Sequence, residues 1–143
     1  MYAHILIATD GSELSQRAIA DAIALANYLH AKITVIAVSS PLYGNVMGEA
    51  TKHLPEMEQI RFKWANDHLD YVSQMAKSAN VACETVHVTG KFPYEGIVQT
   101  AIEKGCDLIV MASHGRSGIR AFLLGSETQK VLTHSKIPVL VHR

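Results

Sequence analysis

Two short segments hold residues whose types and spacing suit ligand chemistry. The first is Ala8-Thr9-Asp10-Gly11-Ser12. Asp10 places a carboxylate where a strand turns into a helix, able to accept a hydrogen bond from an adenine amino group or a ribose hydroxyl, and Gly11 allows the turn to be tight. Asp-Gly-Ser is equally a common turn and helix cap. The second runs from Met111 through Ala112, Ser113, His114, Gly115, Arg116, Ser117 and Gly118, and nine residues separate Gly115 from Gly125 and the following Ser126. Such a loop, feeding a helix that opens at Ser126, can wrap an anion in backbone N–H groups at the positive end of the helix dipole. It is neither a GxxxxGK[ST] loop nor a GxGxxG fingerprint. Ser126 and Gln129 also fit a Ser-x-x-Gln capping box, worth about 1 kcal/mol to the helix.

Other reactive side chains carry weaker signals. The eight histidines show no HxxxH or HExxH spacing, so no dedicated metal centre is expected. Ser113 and His114 are adjacent, but neighbours in an extended or tight segment usually point apart, and there is no GxSxG elbow. Cys106 is expected to be buried rather than reactive, and Trp64 to lie in the core. Lys plus Arg balance Asp plus Glu at 13 each, so no global field draws in nucleic acid or an anionic membrane. The distribution is uneven: residues 111–143 hold Arg116, Arg120, Lys130, Lys136 and Arg143 against only Glu127. That suits a small anion, or a solvated basic face. Two cysteines without a CxxC pair, no basic leader and no apolar run of about 18 residues point to a soluble cytoplasmic protein.

These residues need a frame to bring them together. β-Branched runs at His4 to Thr9, Lys32 to Val38, Asp107 to Ala112 and Ile137 to His142 read as strands, and the alternating Cys83 to Thr89 as a strand nearer an edge. Between them lie helical stripes: Leu14, Ala18, Ala22, Leu25 and Leu29, with Ser12 as N-cap; Met57, Ile60, Trp64, Val72 and Met75; then Ile97, Val98, Ala101 and Ile102 between Pro93 and Gly105. A fourth helix starts at Ser126 and carries Val131 and Leu132. Alternating strands and helices predict a single doubly wound α/β domain over residues 1–143, with parallel strands and helices on both faces. At 48% hydrophobic and 143 residues the chain can bury one real core. The connection from Ser39 to Pro55 is long for its job, which suits a lid, a partner surface or a poorly ordered insertion.

The combination of TDGS after the first strand, ASHG after the fourth and LLGS ahead of IPVLV closely resembles the universal stress protein family, across essentially the whole chain. The resemblance implies a Rossmann-like sheet of order 3-2-1-4-5. Its ATP-binding members carry Gly, two residues, Gly, nine residues, Gly, then Ser or Thr; here Ala112 stands at the first glycine, with Gly115, Gly125 and Ser126 at the others. Carried over, Ala8, Thr9, Asp10 and Val38 approach the adenine. Met111 and Ala112 line the opposite side, and Gly115, Gly125, Ser126 and Thr128 take the ribose and phosphates. Mg²⁺ or Mn²⁺ would bridge the phosphates. Glu127 competes for the positive helix end, with Arg116 and Arg120 as offsets. The implied function is an ATP-binding stress-response factor that forms a homodimer through Ile137 to His142 and signals to a protein partner not identifiable from sequence. The alternatives are a slow ATPase or nucleotidyl-transfer enzyme, for which no catalytic Lys or general base stands at the matched positions, and a dimeric interaction module without ligand.

Overall fold

The computed structural model describes residues 1–39, 54–115 and 124–143. Most of the Ser39 to Pro55 connection, and the loop with Arg116 and Arg120, lie outside the described residues. Five strands alternate with four helices: β1 His4–Thr9, α1 Glu13–Leu29, β2 Lys32–Ser39, α2 Leu54–Ser78, β3 Cys83–Thr89, α3 Pro93–Glu103, β4 Leu108–Ala112, α4 Ser126–His134 and β5 Val139–His142. All strand pairs are parallel, in the order β3-β2-β1-β4-β5. The expected Rossmann-like topology is the one observed.

Burial on both faces follows from the strand period of two. Ile5, Ile7, Ile33, Val35, Leu108 and Val110 face α1 and α2, packing on Ile19, Ile23, Leu69 and Val72. Leu6, Ala8, Ile36, Ile109 and Met111 turn the other way, onto Ile97 and Ala101 of α3 and Val131 of α4. No described helix is long and apolar enough to cross a membrane.

The helix stripes differ in phase from the expected ones. α1 buries Ser15, Ala18, Ile19, Ala22, Ile23 and Ala26, while Leu25 and Leu29 are only partly buried. In α2 the buried residues are Ala65, Leu69, Val72 and Ala76; Met57, Ile60 and Trp64 are exposed. Ile102 and Leu132 are likewise exposed. Small residues explain most of the shift, since alanines let a helix approach the sheet closely and displace larger side chains to its flanks. Ser12 does cap α1, its hydroxyl accepting the Ser15 N–H at 3.2 Å. β4 starts one residue later than expected because the Asp107 carboxylate turns back to accept the N–H groups of Ala3 and His4 at 2.8 and 3.0 Å. β5 starts at Val139 rather than Ile137, where the Ser135 hydroxyl holds a local turn by bonding both the N–H and the C=O of Ile137.

Candidate functional site

β1 lies between β2 and β4, so the chain winds outward in opposite directions on its two sides, opening a crevice beyond the carboxyl ends of the strands. A cleft of about 1060 Å³ occupies that position. Eleven of the twelve expected site residues line it: Ala8, Thr9 and Asp10 from β1 and its turn, Val38 from β2, Met111, Ala112 and Gly115 from the end of β4, and Gly125, Ser126, Glu127 and Thr128 at the start of α4. The twelfth, Arg116, lies outside the described residues.

The strand-end carboxylate is held by its own turn. Asp10 Oδ1 accepts the Ser12 N–H at 2.9 Å, and the carboxylate lies against Gly115, where a side chain would collide with it. On the opposite wall, Gly125 is the N-cap of α4 and has no side-chain cap bond. A Cβ there would sit 3.2 Å from His114 Cα and 3.3 Å from Ser113 O, both backbone, and the Gly125 N–H donates to Ser113 O at 2.7 Å. The helix opening is thus pressed against the end of β4. Ser126, Glu127 and Thr128 carry the first-turn N–H groups that an α-helix leaves without an i−4 carbonyl.

Three expectations about this wall are corrected. The capping box does not form: Ser126 is one residue inside the helix, and the Gln129 amide donates to Leu124 O at 2.7 Å. Glu127 turns its carboxylate toward α3, where Oε2 accepts the Tyr94 N–H at 2.8 Å and Oε1 pairs with Lys130 at 3.2 Å. Its charge serves the N-terminus of α3, with Lys130 as counter-ion, as well as bordering that of α4. Ser113 and His114 do not point apart, since Ser113 Oγ and His114 Nδ1 are 3.1 Å apart. The buried Thr128 donates its hydroxyl proton to Ala112 O at 2.9 Å, tying α4 to the strand end. Ala112 itself is a regular strand residue opposite His142, so its backbone makes no demand for glycine.

Sequence reasoning missed several lining groups. Arg61 reaches the cleft from α2, and among the described residues it has no ion-pair partner. Ser15 and His134 also contribute, Ser15 from the first turn of α1 and His134 from the end of α4, beside His114 and Lys130 from the loop and basic segment singled out in the sequence. Trp64 is 43% exposed rather than in the core. Its ring covers the Gly11 backbone and stacks on His68 with centroids 5.8 Å apart, and His68 Nε2 in turn lies 3.0 Å from Thr9 Oγ1. Cys106 is buried as expected, and burial pushes its thiol up to about 11.

The fold and the crevice define a Rossmann-like α/β protein with a cleft at the carboxyl ends of the strands. Residues 1–143 match the universal stress protein family, and the chain belongs to it. It is 32% identical to the universal stress protein YxiE of Bacillus subtilis, with both chains covered completely. The solved structure of MJ0577 from Methanocaldococcus jannaschii superposes with a TM-score of 0.87 at 26% identity, covering 99% of this chain and 96% of that one. A universal stress protein solved in complex with cAMP gives a TM-score of 0.69 at 28% identity, covering 98% and 95%.

Proposed function

We propose that the cleft binds an adenine nucleotide, and that the protein acts in the cytoplasm as a nucleotide-responsive stress factor. The observation that carries this reading is the pairing of two opposed walls across one crevice: a strand-end carboxylate at Asp10, and a helix N-terminus at Gly125 and Ser126. A carboxylate accepts from amino or hydroxyl groups, and a helix opening takes phosphate. An adenine nucleotide offers these two kinds of group at its two ends. Val38 and Met111 supply apolar surface for the base. The relative in complex with cAMP supports a nucleotide of this base.

Among the described residues no three His, Cys, Asp or Glu side chains form a metal cluster. Glu127 is engaged with Tyr94 and Lys130. A bridging Mg²⁺ or Mn²⁺ would therefore take its ligands chiefly from phosphate oxygens and water. Arg61 and Lys130 supply the cleft's described protein cations.

Calorimetric titration with ATP and Mg²⁺ tests the reading. Stoichiometric binding with a Kd near micromolar, about −8 kcal/mol, is expected, and Gly125→Val should abolish it by forcing α4 away from the strand end. A well-folded protein that takes up neither ATP, AMP nor cAMP at millimolar concentration would overturn it and favour the interaction-module reading. A phosphate-release time course on the bound complex then separates a binding protein from a slow ATPase.

A further inference from the structure

Glu127 and Lys130 both line the cleft, and they are paired with each other, Lys130 Nζ donating to Glu127 Oε1 at 3.2 Å. Both side chains keep contact with solvent, Lys130 at 42% exposure and Glu127 at 33%. Side chains on a helix lean toward its N-terminus, so Lys130, at the fifth position of α4, carries its ammonium back to the opening turn. That turn holds the free N–H groups that the nucleotide reading assigns to phosphate. The partners of the lysine hold it loosely: one oxygen of a partly exposed carboxylate, and the rings of Phe92 and Tyr94, whose centroids each lie 5.7 Å from Nζ. Exposed ion pairs and cation–π contacts of this kind are weak, and a phosphate offers an ammonium more charge and more acceptor oxygens. Glu127 has a second hold, since its Oε2 accepts the Tyr94 N–H at 2.8 Å, and it can stay in place when the lysine leaves.

Resting on the nucleotide reading of the cleft, we propose that Glu127 is a built-in competitor for the ligand's phosphates: in the free protein it holds Lys130, a bound nucleotide takes the lysine over, and the pair thereby sets how strongly the cleft favours charged ligands. The two residues act with opposite sign on the same helix opening. Lys130 adds attraction for phosphate, while Glu127 subtracts from it twice, by occupying the lysine and by placing a negative charge in the first turn of α4. Neither effect touches a ligand without charge. The exchange also reaches beyond the cleft, because the carboxylate that gives up Lys130 is the one that closes the first turn of α3 at Tyr94.

The test is a double-mutant cycle on the affinities for ATP and for adenosine, at fixed Mg²⁺. Glu127→Gln should tighten ATP about fivefold and Lys130→Gln should weaken it about tenfold, each changing adenosine by less than about twofold. In the Glu127→Gln background the lysine substitution should cost about twofold more than in the wild type, because there the lysine breaks no pair to reach the phosphate. A tighter complex from a variant that has lost a structural bond is an outcome no purely structural role of Glu127 produces. Weaker or unchanged ATP binding in Glu127→Gln, equal lysine effects in both backgrounds, or losses shared by adenosine would overturn the inference and leave the nucleotide reading intact. Should Glu127→Gln fail to fold, the Tyr94 amide resonance of the wild-type protein decides: it should move on addition of ATP and not of adenosine, and a signal that stays put at ATP saturation overturns the proposal. A wild-type protein that binds neither ATP nor adenosine overturns the nucleotide reading, and this inference with it.

Discussion

Gly11 and Gly125 are glycines for different physical reasons, and only one of these is visible in sequence. Gly11 sits at φ +75° inside an Asp-Gly-Ser turn, and a tight strand-to-helix turn at that tripeptide is readable directly. What sequence does not show is the indole of Trp64 lying over it, 53 positions away along the chain, because its period on α2 suggests a core position. Gly125 has an ordinary φ of −58° and is required by close approach to the backbone of Ser113 and His114. That need depends on where β4 ends, and the spacing from Gly115 announces it only through family resemblance. The same contrast between local and distant causes governs the histidines. His4 reads as the first residue of a strand, but its ring is buried and bonded to Thr34 Oγ1 at 2.8 Å. Burial, reinforced by Lys32 and opposed by Asp107, holds its pKa below the ordinary 6.5. The unfolded chain therefore binds this proton more readily than the native one, so its contribution to stability is complete above about pH 6.5 and is lost as pH falls through the native value. Thermal melts from pH 7.5 to 5 should show Tm dropping with acidity, and His4→Gln should flatten that slope. A residual slope is expected from His87, which burial shifts in the same direction. An unchanged slope in His4→Gln would refute the assignment.

Among elements, the strands were more legible than the faces of the helices. Strand burial has a period of two and both sheet faces are covered, so β1, β2 and β4 appear as near-continuous apolar runs. Helix phase is harder to read in an alanine-rich chain. In α1 and α2, Ala18, Ala22, Ala26, Ala65 and Ala76 take the positions nearest the sheet and push Leu14, Met57 and Ile60 off the stripe. The polar tie between α3 and α4 was not legible at all, since one carboxylate makes it across 33 residues of sequence. Glu127 closes the first turn of α3 by accepting the Tyr94 N–H, at a helix whose N-cap, Phe92, supplies no side-chain acceptor. Tyr94 also stacks on His134 with centroids 4.9 Å apart, so the Glu127 bond and this ring pair hold the two helices at both ends of α4. Glu127→Gln retains one acceptor oxygen but loses the charge that complements the helix dipole and Lys130. A loss of about 1 kcal/mol in chemical denaturation is expected, with faster amide exchange at Tyr94. Unchanged stability and exchange would show that the tie between α3 and α4 is made elsewhere.

At the scale of the whole molecule, the sheet presents two open edges, β3 and β5, and they are not alike. β3 exposes Glu84, Thr85 and Thr89, and Lys104 is salt-bridged to Glu84, so charge guards that edge. β5 reads Val-Leu-Val-His, with Leu140 43% exposed and its valines only partly buried. The carbonyls of Pro138 and His142 accept from Ile109 and Ser113, so backbone groups of even-numbered residues turn toward β4. Successive residues alternate in direction along a strand, which leaves the N–H and C=O of Val139 and Val141 facing outward. An apolar edge with outward donors and acceptors invites a second strand, and antiparallel pairing of β5 with its copy about a two-fold axis would satisfy both valines symmetrically. This is the geometry behind the homodimer we propose. Val141→Pro removes an outward donor and leaves the β4 ladder intact, a substitution that edge strands tolerate. Sedimentation equilibrium at micromolar concentration should therefore find the wild type dimeric and Val141→Pro monomeric, with ATP affinity retained because the cleft is lined from β1, β2, β4 and the helices rather than from β5. A wild-type monomer under those conditions would remove β5 as an interface. A dimer that survives Val141→Pro would move the interface to another surface.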